Sequence, residues 1–272
     1  LNSSFGFSLP FPVSGENPLL LDWKNYAQMI FLYFIALNIL KEEDKQKQAV
    51  LIMTAVILLI SVRSYRNFEG GASFQYDKRV GGPFEAVGLG PNHLGAFIAD
   101  YSSLVLAFFI MEKEKLKKYF YMATCAFSLH PLFFSYSRGA YLAAAAAFTF
   151  FGLVKKRIFL VVIIALIIAW QAILPASVVD RITMTETPEG ELESSAAQRL
   201  DLWDHAIDLF KSNPVFGVGF NSFGLTVEEG QLTDTHSFYL KTLAEQGIIG
   251  ISLFTTLLIK AFMSGMRLYR SG

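Results

Sequence analysis

The run IFLVVIIALIIAWQAIL (158–174) contains no charged residue, and a stretch of that character has few ways to fold. Crossing a bilayer takes about 20 mostly apolar residues as a helix, because every backbone N–H and C=O in hydrocarbon must be satisfied inside the segment. A second run, AVLIMTAVILLISV (49–62), has the same character. Charged residues make up 17% of the 272-residue chain, against about 25% in an ordinary soluble domain, and they gather in short clusters between the runs. The pattern predicts an all-α polytopic membrane protein. Seven transmembrane helices are expected, at roughly 19–40, 49–65, 93–111, 119–136, 139–154, 158–174 and 247–266, together with an outer helical loop region.

Orientation follows from the basic residues. KEEDKQK, EKEKLKK, KKR and RLYR hold about twelve of the 23 lysines and arginines in very short connections. Taken alternately along the chain these clusters fall on one side, which the positive-inside bias makes cytoplasmic. The other side then receives an outer loop or tail at 1–18, a loop at 63–92, the corner SYSRGAY and a large segment at 175–240; 241–272 returns through the last span. LNSSFGFSLPFPVSGENP lacks the basic and apolar regions of a signal peptide. It reads as a loop of a longer protein, with further helices expected upstream.

The corner raises a question of charge. FFSYSRGAYLAAAAAF puts Arg138 between two apolar runs, and a guanidinium at the bilayer centre costs on the order of 3 kcal/mol. The topology moves Arg138 to an outer helix end, among Phe133, Phe134, Tyr136 and Tyr141 at headgroup level. It reads either as a snorkelling interfacial arginine or as one turned toward the bundle by a tight hairpin. Ala143–Ala147 reads as a small-residue packing surface that draws this hairpin against its neighbours.

In the large outer segment, TETPEGELESS is acidic without histidine partners, so it reads as a solvated loop and not a metal site. SAAQRLDLWDHAIDLFKSNP has helical periodicity, with Leu200, Trp203, Ile207 and Phe210 on one face, Ser194 or Ser195 as cap and Pro214 as stop. Arg199 falls near its start and reads as a surface charge pairing with Asp201 or Asp204. In PVFGVGFNSFG the glycines do not follow a strand within a βαβ unit, which excludes a nucleotide loop and leaves a tight turn or close packing. In DTHSFYLKTLAEQGIIGISLF, Asp234 or Thr235 is expected to cap a helix with His236 in its first turn. The positive end of the dipole there favours a neutral, base-competent imidazole; the alternative is a plain interfacial histidine. Gly247 and Gly250 mark a break or close packing before the last span. Cys125, the single cysteine, reads as a packing residue, with no disulfide framework available.

SRGAYL, then QRLDLWDHAI…NPVFGVGFNSF, then HSFYLKTLAEQGIIG, preceded by RVGGPFEAVGLGPNHLGAFI, resemble in that order the O-antigen ligase and polymerase superfamily of bacterial envelope glycosyltransferases. The resemblance covers roughly residues 79–265. It implies transfer of a glycan from an undecaprenyl-pyrophosphate donor to an acceptor hydroxyl at the periplasmic face of the inner membrane. The acceptor would be lipid A–core, another glycan or a protein. The resemblance implies neither metal nor cofactor nor nucleic-acid partner. By motif position Arg138 and Arg199 match the family's pyrophosphate-contacting arginines and His236 its catalytic histidine, while Arg79 and Asn92 are candidates for carrier or sugar contacts. The competing expectation is a solute transporter of the same superfamily. Transporters place ionisable groups near the midplane, whereas the candidates here cluster at one surface.

Overall fold

A computed structural model describes residues 18–71, 73–184, 194–227 and 234–271. The N-terminal stretch 1–17 and most of the acidic loop, 185–193, lie outside the described residues. Those residues form nine α-helices, three short 3₁₀ turns and no strand, so the chain is an all-α membrane protein. The helices are α1 (Pro18–Ile39), α2 (Glu43–Arg66), α3 (Pro91–Met111), α4 (Lys115–Phe134), α5 (Arg138–Val154), α6 (Ile158–Ile173), α7 (Ala176–Thr183), α8 (Ser194–Ser212) and α9 (Phe238–Ser271).

Length and composition of the described residues do not support the expected count of seven spans. Among the described residues α2, α3 and α9 are long and apolar enough to cross a membrane. The pair α6 and α7, bent by 107° at a short break, would make a fourth. The shortfall has particular causes. α4 opens on KLKKY, so its polar first turns dilute an apolar second half. α5 has 17 residues, about 25 Å at 1.5 Å per residue and short of the hydrocarbon thickness. α6 has 16 residues, carries a non-helical Ala169 near its end and buries none of its side chains. Ile164, Ile167 and Ile168 of α6 stand exposed, as do Leu253 and Leu257 of α9; lipid is the solvent that suits such faces.

The chain divides into two compact units, one made of Ala36–Thr185 and the other of Leu1–Ile35 with Glu186–Gly272. In the first, Ile57, Leu94, Ile98, Val105, Tyr121 and Leu132 form the core. α5 packs along α3 through small residues: Ala140 and Ala144 are buried, and a Cβ on Gly95 would crowd Ser135, Ser137 and Ala140. Of the alanine run, Ala144 alone is buried, so the packing surface is one face of the helix, continued one turn back by Ala140.

In the second unit Leu202 and Ala206 of α8, Phe223, and Ala244 of α9 make the core, with Leu209, Val227 and Leu240 packed against it. On α8, Leu200 is exposed and Trp203, Ile207 and Phe210 are half-buried, while the stripe one position before those three, Leu202–Ala206–Leu209, faces inward. PVFGVGFNSFG does not fold as an isolated turn. The N–H groups of Val218 and Gly219 donate to the carbonyls of Ala244 and Glu245, and those of Ile248 and Ile249 donate to Pro214 and Val215. The break in α9 falls between these pairs, at Gly247 (φ 62°, ψ −160°). Glu245, 4% exposed, closes the seam by accepting the N–H groups of Asn221 and Phe223, each at 3.0 Å.

Candidate functional site

The candidate residues fall in both units, and each group has its own local scaffold. In the first unit, α4 ends at Phe134 and α5 begins at Arg138, leaving three residues to reverse the chain. The reversal is made at Tyr136, which has φ 51°, a conformation few non-glycine residues adopt. The loop before α3 is laced to this corner. The Val80 N–H donates to the Phe134 carbonyl at 3.0 Å, and Arg79 Nε donates to the Ser135 carbonyl at 3.0 Å. Arg79 Nη2 donates to Asn92 Oδ1 at 2.7 Å, so the structure brings Arg79 and Asn92 into direct contact. Arg138 is half-buried, and its Nη1 donates to the Met184 carbonyl just past α7, at 3.0 Å.

Sequence reasoning missed a third guanidinium at this corner. Arg181 of α7 donates from Nε to the Tyr136 carbonyl at 3.4 Å, so the cation lies against the residue that makes the turn. Nothing in SVVDRIT signals this, because its partners lie 45 and 105 residues back along the chain. Arg79, Arg138 and Arg181 thus surround one hairpin, and the guanidinium group is of the kind that binds anionic oxygens. Beside Arg79 opens a polar cavity of about 460 Å³, lined also by Arg66, Asn67, Asp77, Lys78 and Glu85.

In the second unit Arg199 sits on α8 four residues before Trp203, hence on the same face one turn away. Trp203 Nε1 donates to the Thr235 carbonyl at 2.9 Å, which holds the residue preceding His236 against that face. Thr235, the neighbour of His236, is thus held one helical turn along α8 from Arg199. Among the described residues Arg199 forms no ion pair with Asp201 or Asp204. His205, on the next turn of α8, is occupied: its Nε2 shares a hydrogen bond of 2.9 Å with Thr226 Oγ1.

The expected place of His236 is corrected. It does not lie in the first turn of α9 but two residues before it, exposed and with φ 52°. Ser237 is the residue at the helix start, its Oγ accepting the Leu240 N–H at 3.5 Å, and Thr235 Oγ1 accepts the Ser237 N–H at 3.1 Å. The first-turn dipole argument therefore does not describe this imidazole. What holds the residue is Asp234. Its Oδ1 accepts the His236 N–H at 2.7 Å, and its Oδ2 pairs with Lys241 Nζ at 3.1 Å. Burial works to raise the Asp234 carboxyl, but the His236 N–H and the Lys241 ammonium outweigh it and keep the carboxyl below its ordinary range.

That shift carries a sign. The native pKa is depressed, so the clamp's contribution is present above the unfolded value near 3.9 and is lost as pH falls through the lower native value. The Asp234 side chain is 52% exposed, which limits the effect to under about 1 kcal/mol. Protection factors at residues 236–241, the exchange rates corrected for their intrinsic dependence on pH, are expected to fall on acidification below about pH 4. An Asp234→Asn variant should show that lower protection already at neutral pH. Equal exchange in the two proteins at pH 7 would contradict the clamp.

Among the described residues no group of three or more His, Cys, Asp or Glu side chains is placed to hold a metal. Residues 123–255, just under half of the chain, match the family model described as O-antigen ligase. The match takes in Arg138, Arg181, Arg199 and His236 and leaves Arg79 and Asn92 upstream of it. No curated protein and no solved structure matches the chain.

Proposed function

We propose, from the match of residues 123–255 to the O-antigen ligase family model, that the chain transfers a glycan from an undecaprenyl-pyrophosphate carrier to an acceptor hydroxyl. The reaction takes place at the periplasmic face of the bacterial inner membrane. The acceptor oxygen attacks the anomeric carbon, the bond from that carbon to the phosphate oxygen breaks, and lipid pyrophosphate departs. His236 takes the proton released by the hydroxyl. Arg138 and Arg199 bind the pyrophosphate and offset the charge that grows on its oxygens, as guanidinium forks do in low-dielectric surroundings. Arg79 and Asn92 contact the carrier or the first sugar, for which the polar cavity beside Arg79 offers room.

The observation that supports this reading most is the hairpin corner, where Arg79 and Arg138 are fixed by backbone carbonyls. Donors already oriented on a tight turn need little reorganisation when an anion arrives. The reading is tested with purified chain and lipid-linked donor. Arg138→Ala and Arg199→Ala are each expected to lower kcat/KM about 10- to 100-fold, the worth of one charge-assisted hydrogen bond of about 1.5–3 kcal/mol. Arg138→Lys is expected to recover only part, since an ammonium lacks the fork. Transfer by both alanine variants within about twofold of wild type, well under the tenfold that 1.4 kcal/mol confers, would remove the phosphate role.

A further inference from the structure

Arg181 is a charged residue only 5% exposed, and the proposed reaction gives it no task. Its guanidinium lies over the Phe74 ring at 5.1 Å and the Tyr76 ring at 5.2 Å. Nη2 donates to Tyr76 Oη at 3.3 Å, and Nε donates to the Tyr136 carbonyl at 3.4 Å. Stacked on two rings and this deeply buried, it is badly placed to ligate a substrate. Burying a guanidinium this deeply costs free energy, which the two rings and the two hydrogen bonds offset.

A task for it is visible in what α7 touches. Tyr136 holds a left-handed conformation with a large side chain, which persists only when the surroundings over-determine it. Its side chain is 1% exposed, its hydroxyl donates to Ser177 Oγ at 2.9 Å, and its ring meets Phe74 edge-on at 4.9 Å. Its carbonyl is the one Arg181 holds. Two residues on, Arg138 donates to the Met184 carbonyl just past α7. α7 and the residue that follows it therefore grip the corner through Ser177, Arg181 and Met184, and each of these three bears on Tyr136 or Arg138.

We infer that Arg181 is a positioning residue for anion binding, acting through Tyr136 and the turn it makes to fix the pose of Arg138. The inference rests on the proposed role of Arg138 toward the carrier phosphates. Arginine suits the task better than lysine, because the planar fork can stack on two rings and still donate to two oxygens in different directions.

A double-mutant cycle on the purified full chain separates this from plain destabilisation. The probe is farnesyl pyrophosphate, with farnesol as the uncharged control, and affinity is read by titration calorimetry. Arg181→Met, which keeps an apolar stem on the rings, is expected to weaken pyrophosphate binding about tenfold with farnesol unaffected. Arg181→Lys should also weaken it. In an Arg138→Ala background, Arg181→Met should cost nothing further, since the group it positions is gone. Wild-type affinity in Arg181→Met, or the same fold loss in both backgrounds, overturns the inference. If Arg138→Ala itself leaves affinity unchanged, the phosphate role of Arg138 fails and this inference with it. Should Arg181→Met not fold, Ser177→Ala removes only the hydroxyl partner of Tyr136 and enters the same cycle with the same expectations.

Discussion

His236→Ala is expected to lower kcat for glycan transfer about 10²- to 10⁴-fold, the usual worth of a positioned general base, with donor affinity little changed. The backbone needs a control, because His236 has φ 52° and alanine tolerates that region less well than asparagine. His236→Asn keeps a residue suited to the left-handed conformation but removes the basic nitrogen. It should be as inactive as alanine, while hydrogen exchange at 234–241 stays at the wild-type rate. Single-turnover transfer from lipid-linked donor, compared with binding of the pyrophosphate carrier alone, separates the chemical step from affinity. Transfer by His236→Asn near the wild-type rate would show that the turn matters and the imidazole does not.

Gly247→Ala is expected to have the largest effect on folding. Gly247 combines φ 62° with ψ −160°, a region that is essentially glycine-only and costs about 1–3 kcal/mol for other residues. A Cβ there would also collide with the Val215 carbonyl and come within 2.8 Å of the Gly217 nitrogen, adding about 1–3 kcal/mol of overpacking. Together these are on the order of 2–6 kcal/mol, comparable to the whole stability of a modest domain. Gly217→Ala should act alike, since its Cβ would strike the backbone of Glu245 and Gln246. Gly265→Ala is the control: its Cβ meets nothing within 4 Å, and alanine favours a helix by up to about 1 kcal/mol over glycine. Thermal unfolding in detergent should place Gly247→Ala far below wild type and Gly265→Ala level with it or above. A Gly247→Ala midpoint equal to wild type would show that the seam yields without cost.

Helix type was readable from the sequence; which side of each helix faces protein was not. α8 shows why. Leu200, Trp203, Ile207 and Phe210 form an apolar stripe as regular as the stripe that is actually buried, Leu202–Ala206–Leu209. Two apolar stripes one position apart run along the same outer helix, and periodicity alone does not reveal which of them meets the core. The glycines of PVFGVGFNSFG were legible as tight packing, but their partner lies some thirty residues on, at the break in α9, and local pattern cannot name it. Arg138, Arg199 and His236 were legible as candidates because each stands out against its surroundings. Arg181 was not, because beside Asp180 it looks like half of an ordinary surface pair, and its burial depends on Phe74, Tyr76 and Tyr136 arriving from elsewhere.

The seam between 214–219 and 244–249 also bears on how the chain is made. A broken helix entering a bilayer exposes N–H groups that hydrocarbon cannot satisfy, and in α9 those are the groups of Ile248 and Ile249. Their acceptors, Pro214 and Val215, leave the ribosome earlier than the break does, and elements made first are available for those that follow. The order of synthesis thus supplies the partner before the defect that needs it. Moving 214–219 to the far side of α9 by circular permutation would reverse that order and leave the nascent break bare, even though the finished contacts would be the same.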